Sequence, residues 1–389
     1  MGLTRSPLRD LVVIELAGVL AGPSVGMFFA EHGARVVKVE PPRGDVTRRW
    51  HLASEDAADD RPAYFCAVNW GKESVVLDLA ADAGRRALHQ LVARADLVVS
   101  SYRPGQAARL GADAETLRAL APRLIVVEVA GYGAGDGRAG YDAVVQAESG
   151  FMFLNGPPDA PPTKMPVALV DVLAGHQLKE AALVALLARE RTGAGATVRV
   201  SLFDAAVASL FNQASNWLTA GVSPQRIGSA HPNIAPYGTP HATATGDVVL
   251  AVGTDRQFAA LAAALGLDEL AADPRFATNA ARVRHRAALD ARLAPSLAAR
   301  DGGALLADLA ARGVPAGAVR DLPAVFRQPD AARRVLRDAD GHAAVRTVAT
   351  TAPDAELAPP PALGAHTREV LGTLGGLAPD EVEALCSPR

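Results

Sequence analysis

Short runs of Val, Ile and Leu alternate with helical patterns of apolar residues through the first half of the chain. β-Branched runs favour strands, whereas apolar residues that recur every three or four positions favour helices. The pattern predicts strands at 11–16, 35–40, 74–79, 96–100, 124–130 and 197–202. The clearest predicted helices are 23–32, 82–95 with Asp82 placed to cap it, 173–191 and 203–218. Strands joined by helical crossovers imply a mostly parallel sheet, so the predicted fold class is α/β.

The pattern changes near residue 227. A loop rich in Pro, His and Asn comes first, followed by a short predicted strand at 248–252 and by Ala-rich helices. Residues 314–319 have strand character, but Pro315 would restrict that strand to a sheet edge or to its first position. Residues 323–336 favour a linker. The change in composition predicts a second, smaller region.

Composition narrows the class of protein. The 389 residues are enough for two domains and a large core, and a net charge of −3 with scattered Lys and Arg argues against nucleic-acid binding. The two cysteines, Cys66 and Cys386, lie far apart in sequence, which favours free thiols in a reducing compartment. Residues 1–10 have no apolar leader, and no run of about 18 apolar residues occurs. We therefore expect a soluble, cytoplasmic protein with no membrane partner.

Asp171 is the one acid in an apolar run, 167–172, that leads into the predicted helix 173–191. A carboxylate there is either a helix cap or a nucleophile. The N–H groups and the dipole at a helix N-terminus would favour its ionised form, which covalent catalysis needs. On spacing alone the cap is the commoner role, and the residues by themselves leave both alternatives open.

A glycine-rich loop, 131–137, follows a predicted strand and invites comparison with a dinucleotide-binding loop. That fingerprint needs a helix opening on its last glycine and an acid about 20 residues later. Here the loop leads to Tyr141 and, by pattern, to another loop. A flexible turn is therefore the better interpretation.

The histidines give no clear chemistry. His176, one turn into the predicted helix after Asp171, is a candidate general base, although a lone histidine on a helix is more often structural. His231, His241 and His366 do not have the spacing of metal ligands. No metal site is predicted.

Short motifs occur in order along nearly the whole chain. The central ones are Gly140-Tyr141-Asp142, Gln146-Ala147, Ser149-Gly150, Val170-Asp171-Val172 and Glu190-Arg191-Thr192-Gly193. Others include Leu20-Ala21-Gly22-Pro23, Gly44-Asp45, Asn69-Trp70-Gly71-Lys72, Arg103-Pro104-Gly105, Arg109-Leu110-Gly111 and the segment 231–237. Taken together, they resemble the family III CoA-transferases, the CaiB/BaiF type.

The resemblance implies that Asp171 is the nucleophile and that no cofactor is needed, because coenzyme A is itself a substrate. It also implies a Rossmann-like parallel-sheet domain built from both chain ends, a smaller inserted α+β domain, and a homodimer whose subunits interlock like chain links. The implied limits are 1–205 for the N-terminal part of the large domain, 206–230 for a linker, 231–325 for the small domain, 326–346 for a second linker and 347–389 for the C-terminal return.

The resemblance also places the CoA contacts. By position they fall on Leu20, Ala21, Leu77, Ser101, Tyr102, Arg103, Arg109, Arg138 and Tyr141. Arg103 and Arg109 are the strongest candidates, because a forked guanidinium suits phosphate. Lys72 is either a further CoA ligand or the partner of an acid.

Related α-methylacyl-CoA racemases share the region around Asp171 but have His where this chain has Tyr141. Racemisation needs an acid and a base on opposite faces of a carbon, and tyrosine, with an ordinary pKa of about 10, is a poor base at neutral pH. A transferase is therefore favoured over a racemase. A catalytically silent acyl-CoA-binding protein is the third alternative.

Departures from the family pattern narrow the substrate. Leu20 stands where formyl-CoA transferases have Gln, and residues 246–254 lack their glycine-rich lid loop, so formyl and oxalyl chemistry are disfavoured. The segment 231–237 resembles members that act on C4 to C6 dicarboxylates, with succinyl-CoA the favoured donor. Arg48 and Arg49 are both candidates to bind a second carboxylate.

Overall fold

The computed structural model describes residues 6–133, 136–349 and 356–387, apart from the side chain of Pro104. These residues form two compact units. The large unit comprises the described residues of Met1–Ser149, Met165–Phe211 and Arg333–Arg389. The small unit comprises Gly150–Lys164 and Asn212–Ala332.

A six-stranded parallel sheet forms the centre of the large unit, which confirms the predicted α/β class. The strand order is β3-β2-β1-β4-β5-β6. The strands are β1 Val12–Leu16, β2 Arg35–Glu40, β3 Lys72–Val76, β4 Leu97–Ser100, β5 Ile125–Ala130 and β6 Ala196–Ser201. In the register, Val13 lies opposite Val36 on one side and Leu97 on the other. Because both faces are covered by helices, the inner strands contain adjacent apolar residues, such as Ile125-Val126-Val127, rather than a strict alternation of apolar and polar residues.

Helices cover both faces of this sheet. They are α1 Ala21–Glu31, α2 Ala63–Cys66, α3 Asp82–Val92, α4 Pro104–Arg109, α5 Ala114–Leu120, α6 Asp142–Glu148, α8 Leu169–Thr192, α9 Leu202–Ala208, α18 Thr367–Thr373 and α19 Pro379–Cys386, with a short 3₁₀ helix at Val46–Arg49. Helices α1 and α8 pack closely at Gly175, where an added Cβ atom would lie only 2.4 Å from Ser24 Oγ. On the other face, Leu88 and Leu117 share a core with Val370 and Leu371, so the C-terminal helices complete this core.

The small unit is built around a three-stranded antiparallel sheet, β7-β8-β9. Its strands are β7 Tyr237–Thr243, β8 Gly246–Ala251 and β9 Ala316–Ala318, and the edge position of β9 agrees with the restriction expected from Pro315. Its helices are α7 Phe151–Leu154, α10 Phe211–Ala220, α11 Asp255–Leu265, α12 Glu269–Ala272, α13 Asn279–Arg284, α14 Arg286–Ala298, α15 Gly302–Ala311, α16 Leu322–Phe326 and α17 Pro329–Ala332. Phe258 and Phe276 are buried at its core.

Two predicted elements are wrong. The helix expected over 203–218 is divided into α9 and α10, because Ser209 ends α9 and its hydroxyl donates to Ala205 O at 2.7 Å. The linker expected over 323–336 contains α16, α17 and strand β10, Val335–Arg337, which pairs with β11, Ala343–Val345. Pro323 occupies a first-turn position of α16, where proline is favoured.

Smaller expectations also change. Asp82 is the first residue of α3 rather than its cap, which is Ala81. Cys66 and Cys386 are both free thiols, as predicted. Among the described residues, no helix has both the length and the apolar character that crossing a membrane requires.

Candidate active site

Asp171 is the third residue of α8, which begins at Leu169, four residues before the predicted start. The helix is capped by a different carboxylate. Asp142, at the start of α6, accepts the backbone N–H of Val170 at 2.8 Å and the Gln146 amide at 2.8 Å. Within the described part of the chain, no group donates a hydrogen bond to the Asp171 carboxylate. Asp171 is therefore not the helix cap.

Burial sets the electrostatics of Asp171, which is only 7% exposed. Burial raises the pKa of Asp171 to about 7, and the negative charge of nearby Asp142 raises it further. The expectation that the helix terminus would favour the ionised form is wrong, because Asp142 occupies the donor that would have stabilised it. Asp171 thus changes its charge near neutral pH.

A cavity of about 380 Å³ opens beside Asp171. Its wall is formed by the segments that follow the carboxyl ends of β1, β4, β5 and β6, next to the point between β1 and β4 where the strand order reverses. Ligands of open α/β sheets bind at this position. The predicted site residues that line this cavity with Asp171 are Leu20, Ala21, Ser101, Tyr102, Arg103, Arg138 and Tyr141.

A second cavity of about 470 Å³ adjoins the first. The two share Gly18, Ser101, Tyr102 and Gln106, and the second is lined by Leu77, another predicted CoA contact. It lies at the carboxyl ends of β3, β2, β1 and β4. The shared residues make the two cavities continuous along this edge of the sheet.

Lys72 and Arg109 do not line either cavity. Lys72 is fully buried, with its Nζ 2.8 Å from Glu15 Oε2, so it is the partner of an acid. Burial lowers the pKa of Lys72 to about 8. Arg109 is exposed at the end of α4, one turn after Gln106.

Three arginines line the first cavity, and two of them already have acidic partners. Arg138 pairs with Asp136 and with Glu148. Arg199, which the sequence analysis missed, pairs with Glu128 at 2.6 Å from the neighbouring strand. Only the strand register, which the sequence does not reveal, brings those two residues together. Arg103 has no acidic partner among the described residues, so its charge is available to an anion.

Burial distinguishes Arg48 from Arg49. Arg48 is buried, donates to both oxygens of Glu40 at 2.7 Å and stacks on the Phe65 ring at 3.9 Å. Arg49 is exposed. Arg48 is a structural residue that a substrate does not reach.

Trp50 and Tyr64 were also missed by the sequence analysis. Their rings meet edge to face, with centroids 5.0 Å apart. Burial raises the pKa of Tyr64, and the charges of Asp171 and Asp142 raise it further. Tyr64 therefore belongs to the surroundings of Asp171, although no sequence motif marked it.

Histidine is absent from the described lining of both cavities. His176 is an exposed residue on α8 whose ring is partly buried. This partial burial and nearby Lys179 lower the pKa of His176. His366 Nδ1 accepts the Ser74 N–H at 3.2 Å. Asp338, Asp340 and His342 lie close enough to hold a metal, but both His342 ring nitrogens already bond to carboxylates at 2.8 Å.

The glycine-rich loop contributes Gly131, Tyr132 and Gly133 to the first cavity, and its residues 134 and 135 lie outside the described residues. Arg138 stacks on the Tyr132 ring at 4.0 Å. The loop leads into a helix, α6, rather than into another loop as expected. That helix begins only at Asp142, after the glycines, so the loop still lacks the dinucleotide fingerprint.

A cavity with a buried carboxylate at the switch point of a parallel sheet is typical of an α/β enzyme. The chain belongs to CoA-transferase family III, whose family model matches residues 8–367. The predicted resemblance is confirmed, and the protein is a CoA-transferase with CoA as a substrate.

Individual relatives agree with this assignment. A succinate–glutarate CoA-transferase of Agrobacterium fabrum is 38% identical over 385 residues, which cover 95% of this chain and 96% of the relative. An acetyl-CoA:oxalate CoA-transferase of Acetobacter aceti is 37% identical over 85% of each chain. The crystal structure of a CaiB/BaiF family protein from Brucella suis matches with a TM-score of 0.82 and 40% identity, over 95% of this chain and 100% of the other.

Proposed function

We propose that this CoA-transferase moves CoA between two small carboxylic acids by covalent catalysis at Asp171. The observation that supports it is a buried carboxylate with no described hydrogen-bond donor, in the cavity lined by the predicted CoA contacts. A carboxylate that water and donors do not stabilise is a stronger nucleophile than a solvated one. Its pKa of about 7 leaves a substantial ionised fraction at neutral pH.

The reaction consists of four acyl transfers. The Asp171 carboxylate attacks the thioester carbonyl of the donor acyl-CoA, the C–S bond breaks, and a mixed anhydride and the CoA thiolate form. The thiolate then attacks the aspartyl carbonyl, which gives an aspartyl-CoA thioester and releases the donor acid. The acceptor carboxylate attacks the aspartyl carbonyl of this thioester, which forms a second mixed anhydride and expels the CoA thiolate. The thiolate then attacks the acceptor's acyl carbon in that anhydride. New acyl-CoA leaves, Asp171 is a carboxylate again, and no net proton transfer is required.

The adjoining cavities suggest how CoA lies. The nucleotide would occupy the second cavity against Leu77, and the pantetheine arm would pass Gly18, Ser101 and Tyr102 to reach Asp171. Arg103 would bind phosphate, because it lacks a described acidic partner and a charge-assisted hydrogen bond contributes about 1.5–3 kcal/mol. Arg109 would add a second contact from α4. Lys72 would not contact CoA, because it lines neither cavity and its charge is paired with Glu15.

The acids that exchange CoA are proposed to be C4 to C6 dicarboxylates, with succinyl-CoA as donor. The name of the Agrobacterium fabrum relative, which is similar over nearly its full length, supports this choice. With Arg48 buried, Arg49 is the arginine left to bind a second carboxylate. Oxalate is the second candidate, because the Acetobacter aceti relative is nearly as similar.

An exchange assay tests this proposal. Purified enzyme is given succinyl-CoA with glutarate, mesaconate, itaconate, malate, oxalate or acetate, and new acyl-CoA is measured by mass spectrometry. We expect turnover with C4 to C6 dicarboxylates and little with acetate. Turnover with oxalate alone would overturn the choice of acid, and CoA binding without any transfer would favour a silent binding protein.

A racemase is the alternative enzyme, since a carboxyl group with a pKa near 7 also suits acid–base chemistry. It is disfavoured because Tyr141, rather than a histidine, lines the cavity. A racemase would exchange the α-proton of a branched acyl-CoA with deuterium from solvent, without an acceptor acid.

We also propose that two copies of the chain form an interlocked homodimer. Two helices carry large exposed apolar side chains. Val184 on α8 is 67% exposed, and Phe211 and Leu218 on α10 are 75% and 78% exposed. Apolar surface of this kind marks contact with another protein surface.

A further inference from the structure

Four buried charged side chains lie behind one wall of the Asp171 cavity. The wall is the segment 17–23, of which residues 18–22 line the cavity. Behind it are Glu15, Lys38, Asp45 and Lys72, whose side chains are at most 2% exposed. Buried charges at this density are costly unless each is paired, so their arrangement calls for a specific role.

The two lysines hold the two ends of the wall. Lys38 Nζ lies 3.0 Å from Glu15 Oε1 and donates to Ala17 O at 2.9 Å. Lys72 Nζ lies 2.8 Å from Glu15 Oε2 and donates to Pro23 O at 2.9 Å. Glu15 therefore connects the two lysines, which hold the wall at its two ends, Ala17 and Pro23.

The middle of the wall is held in an unfavourable conformation. Val19 has φ +69°, in the left-handed region that a β-branched residue rarely adopts. Its backbone N–H points at the Asp45 carboxylate, at 3.3 and 3.5 Å, and the preceding Gly18 N–H donates to Ser101 Oγ at 3.2 Å. Such backbone strain persists only where surrounding contacts enforce it.

Asp45 is itself fixed from two directions. Its Oδ2 lies 3.0 Å from Lys38 Nζ, and its Oδ1 accepts the Thr47 N–H at 3.0 Å. The carboxylate thus connects the strained Val19 to Lys38, which holds Ala17. Loss of Asp45 would leave Val19 free to return to negative φ, which would move Leu20 and Ala21 in the cavity.

We propose that Asp45, tied to Lys38, is a positioning residue for CoA transfer: it holds Val19 in the left-handed conformation and so keeps 18–22 shaped for acyl-CoA. This inference rests on the proposed function, because it assigns the wall to CoA. Asp45 also lines the second cavity, but in this account it acts through Val19 and does not touch the reacting atoms at Asp171.

The first test is Asp45→Ala. We expect the KM for acyl-CoA to rise about tenfold, as when the competent wall conformation is populated about one-tenth of the time, with kcat changed less than about threefold. Hydrogen exchange at the Val19 amide should be faster, and this readout does not depend on activity. If too little folded Asp45→Ala is obtained, Asp45→Asn keeps an oxygen acceptor for Val19 but loses the charge beside Lys38, and we expect the same change, reduced in size.

The second test is rescue. Glycine adopts positive φ without strain. The double variant Asp45→Ala with Val19→Gly should therefore recover the acyl-CoA KM to within about threefold of wild type, because the wall no longer needs to be held. A role for Asp45 in overall stability alone predicts no such recovery.

Asp96→Ala is the matched control. Asp96 likewise accepts a backbone N–H, that of Val12 at 2.9 Å, and pairs with a buried cation, Arg189, at 3.0 Å, but it precedes β4 at the opposite edge of the sheet. It should lower Tm and leave the acyl-CoA KM unchanged. The inference is wrong if Asp45→Ala shifts KM no more than Asp96→Ala, if Val19→Gly gives no recovery, or if Val19 exchange is unchanged. Absence of CoA binding by wild-type protein would instead overturn the proposed function.

Discussion

At the scale of single residues, Asp171 is a carboxyl group whose ionisation the fold opposes. Burial raises its pKa to about 7 from an ordinary value near 4. Between those two pH values the folded state binds more protons than the unfolded state, so its stability falls as pH rises. The charged form of Asp171 is thus maintained at a cost in stability, which is typical of functional groups.

We therefore expect Asp171→Asn to lower turnover by several orders of magnitude and yet to stabilise the fold above pH about 7, by up to about 4 kcal/mol. The amide is no nucleophile, and it removes a poorly stabilised buried charge. Urea unfolding at pH about 5 and about 8 measures the difference, which should be less than half as large at the lower pH. Asp113→Ala, which removes a true cap of α5, is the control and should be destabilising by about 0.5–2 kcal/mol. A loss of stability for Asp171→Asn at pH about 8 would instead show that the fold stabilises the ionised carboxylate.

The same pKa sets the pH dependence of the reaction. Only ionised Asp171 attacks a thioester, so kcat/KM should rise with pH and level off above about 7. A profile of kcat/KM for acyl-CoA between pH about 5.5 and 8.5 reports the free enzyme. A profile that is flat over this range would mean that Asp171 does not titrate there or does not attack.

At the scale of elements, the sequence predicted what local pattern determines. Strand β2 was predicted at its observed limits, 35–40, because Val36, Val37 and Val39 have the β-branched character of a buried parallel strand, even with Lys38 between them. The start of α8 was misplaced, because its cap comes from Asp142, which is distant in sequence. The sequence motif identified Asp171. It could not show that the Asp171 carboxylate lacks hydrogen-bond donors, because this depends on the contact between Asp142 and the Val170 N–H. The pairing of Arg199 with Glu128 was likewise hidden in the strand register.

One hairpin has a pH dependence of its own. The turn between β10 and β11 is fixed by His342, whose Nε2 bonds Asp59 and whose Nδ1 bonds Asp338, both at 2.8 Å. Burial opposes the charge, but hydrogen bonds to the two carboxylates raise the pKa of His342 above its usual value. Its stabilising effect is therefore complete below pH about 6.5 and is lost as pH rises through the raised pKa.

We expect His342→Gln to lower Tm clearly at pH about 6 and much less at pH about 9. Thermal unfolding of both proteins at the two pH values measures this difference. An equal loss at both pH values would show that the hairpin depends on the shape of the side chain rather than on its charge.

At the scale of the whole molecule, the proposed interlocked homodimer predicts unusual behaviour on dilution. Threaded subunits separate only by unfolding, so the mass should stay dimeric at nanomolar concentration, with one concentration-dependent unfolding transition. Mass photometry and thermal unfolding at several protein concentrations test this. A folded, active monomer would contradict the interlocked arrangement.

The central claim is that Asp171 becomes acylated during CoA transfer. Incubation with succinyl-CoA and no acceptor acid should load Asp171 as an anhydride or CoA thioester, and hydroxylamine should convert either into a hydroxamate. Peptide mass spectrometry should then find the added mass within 165–179, and Asp171→Asn should show none. An unmodified 165–179 peptide, in enzyme that demonstrably exchanges CoA under the same conditions, would contradict covalent catalysis at Asp171.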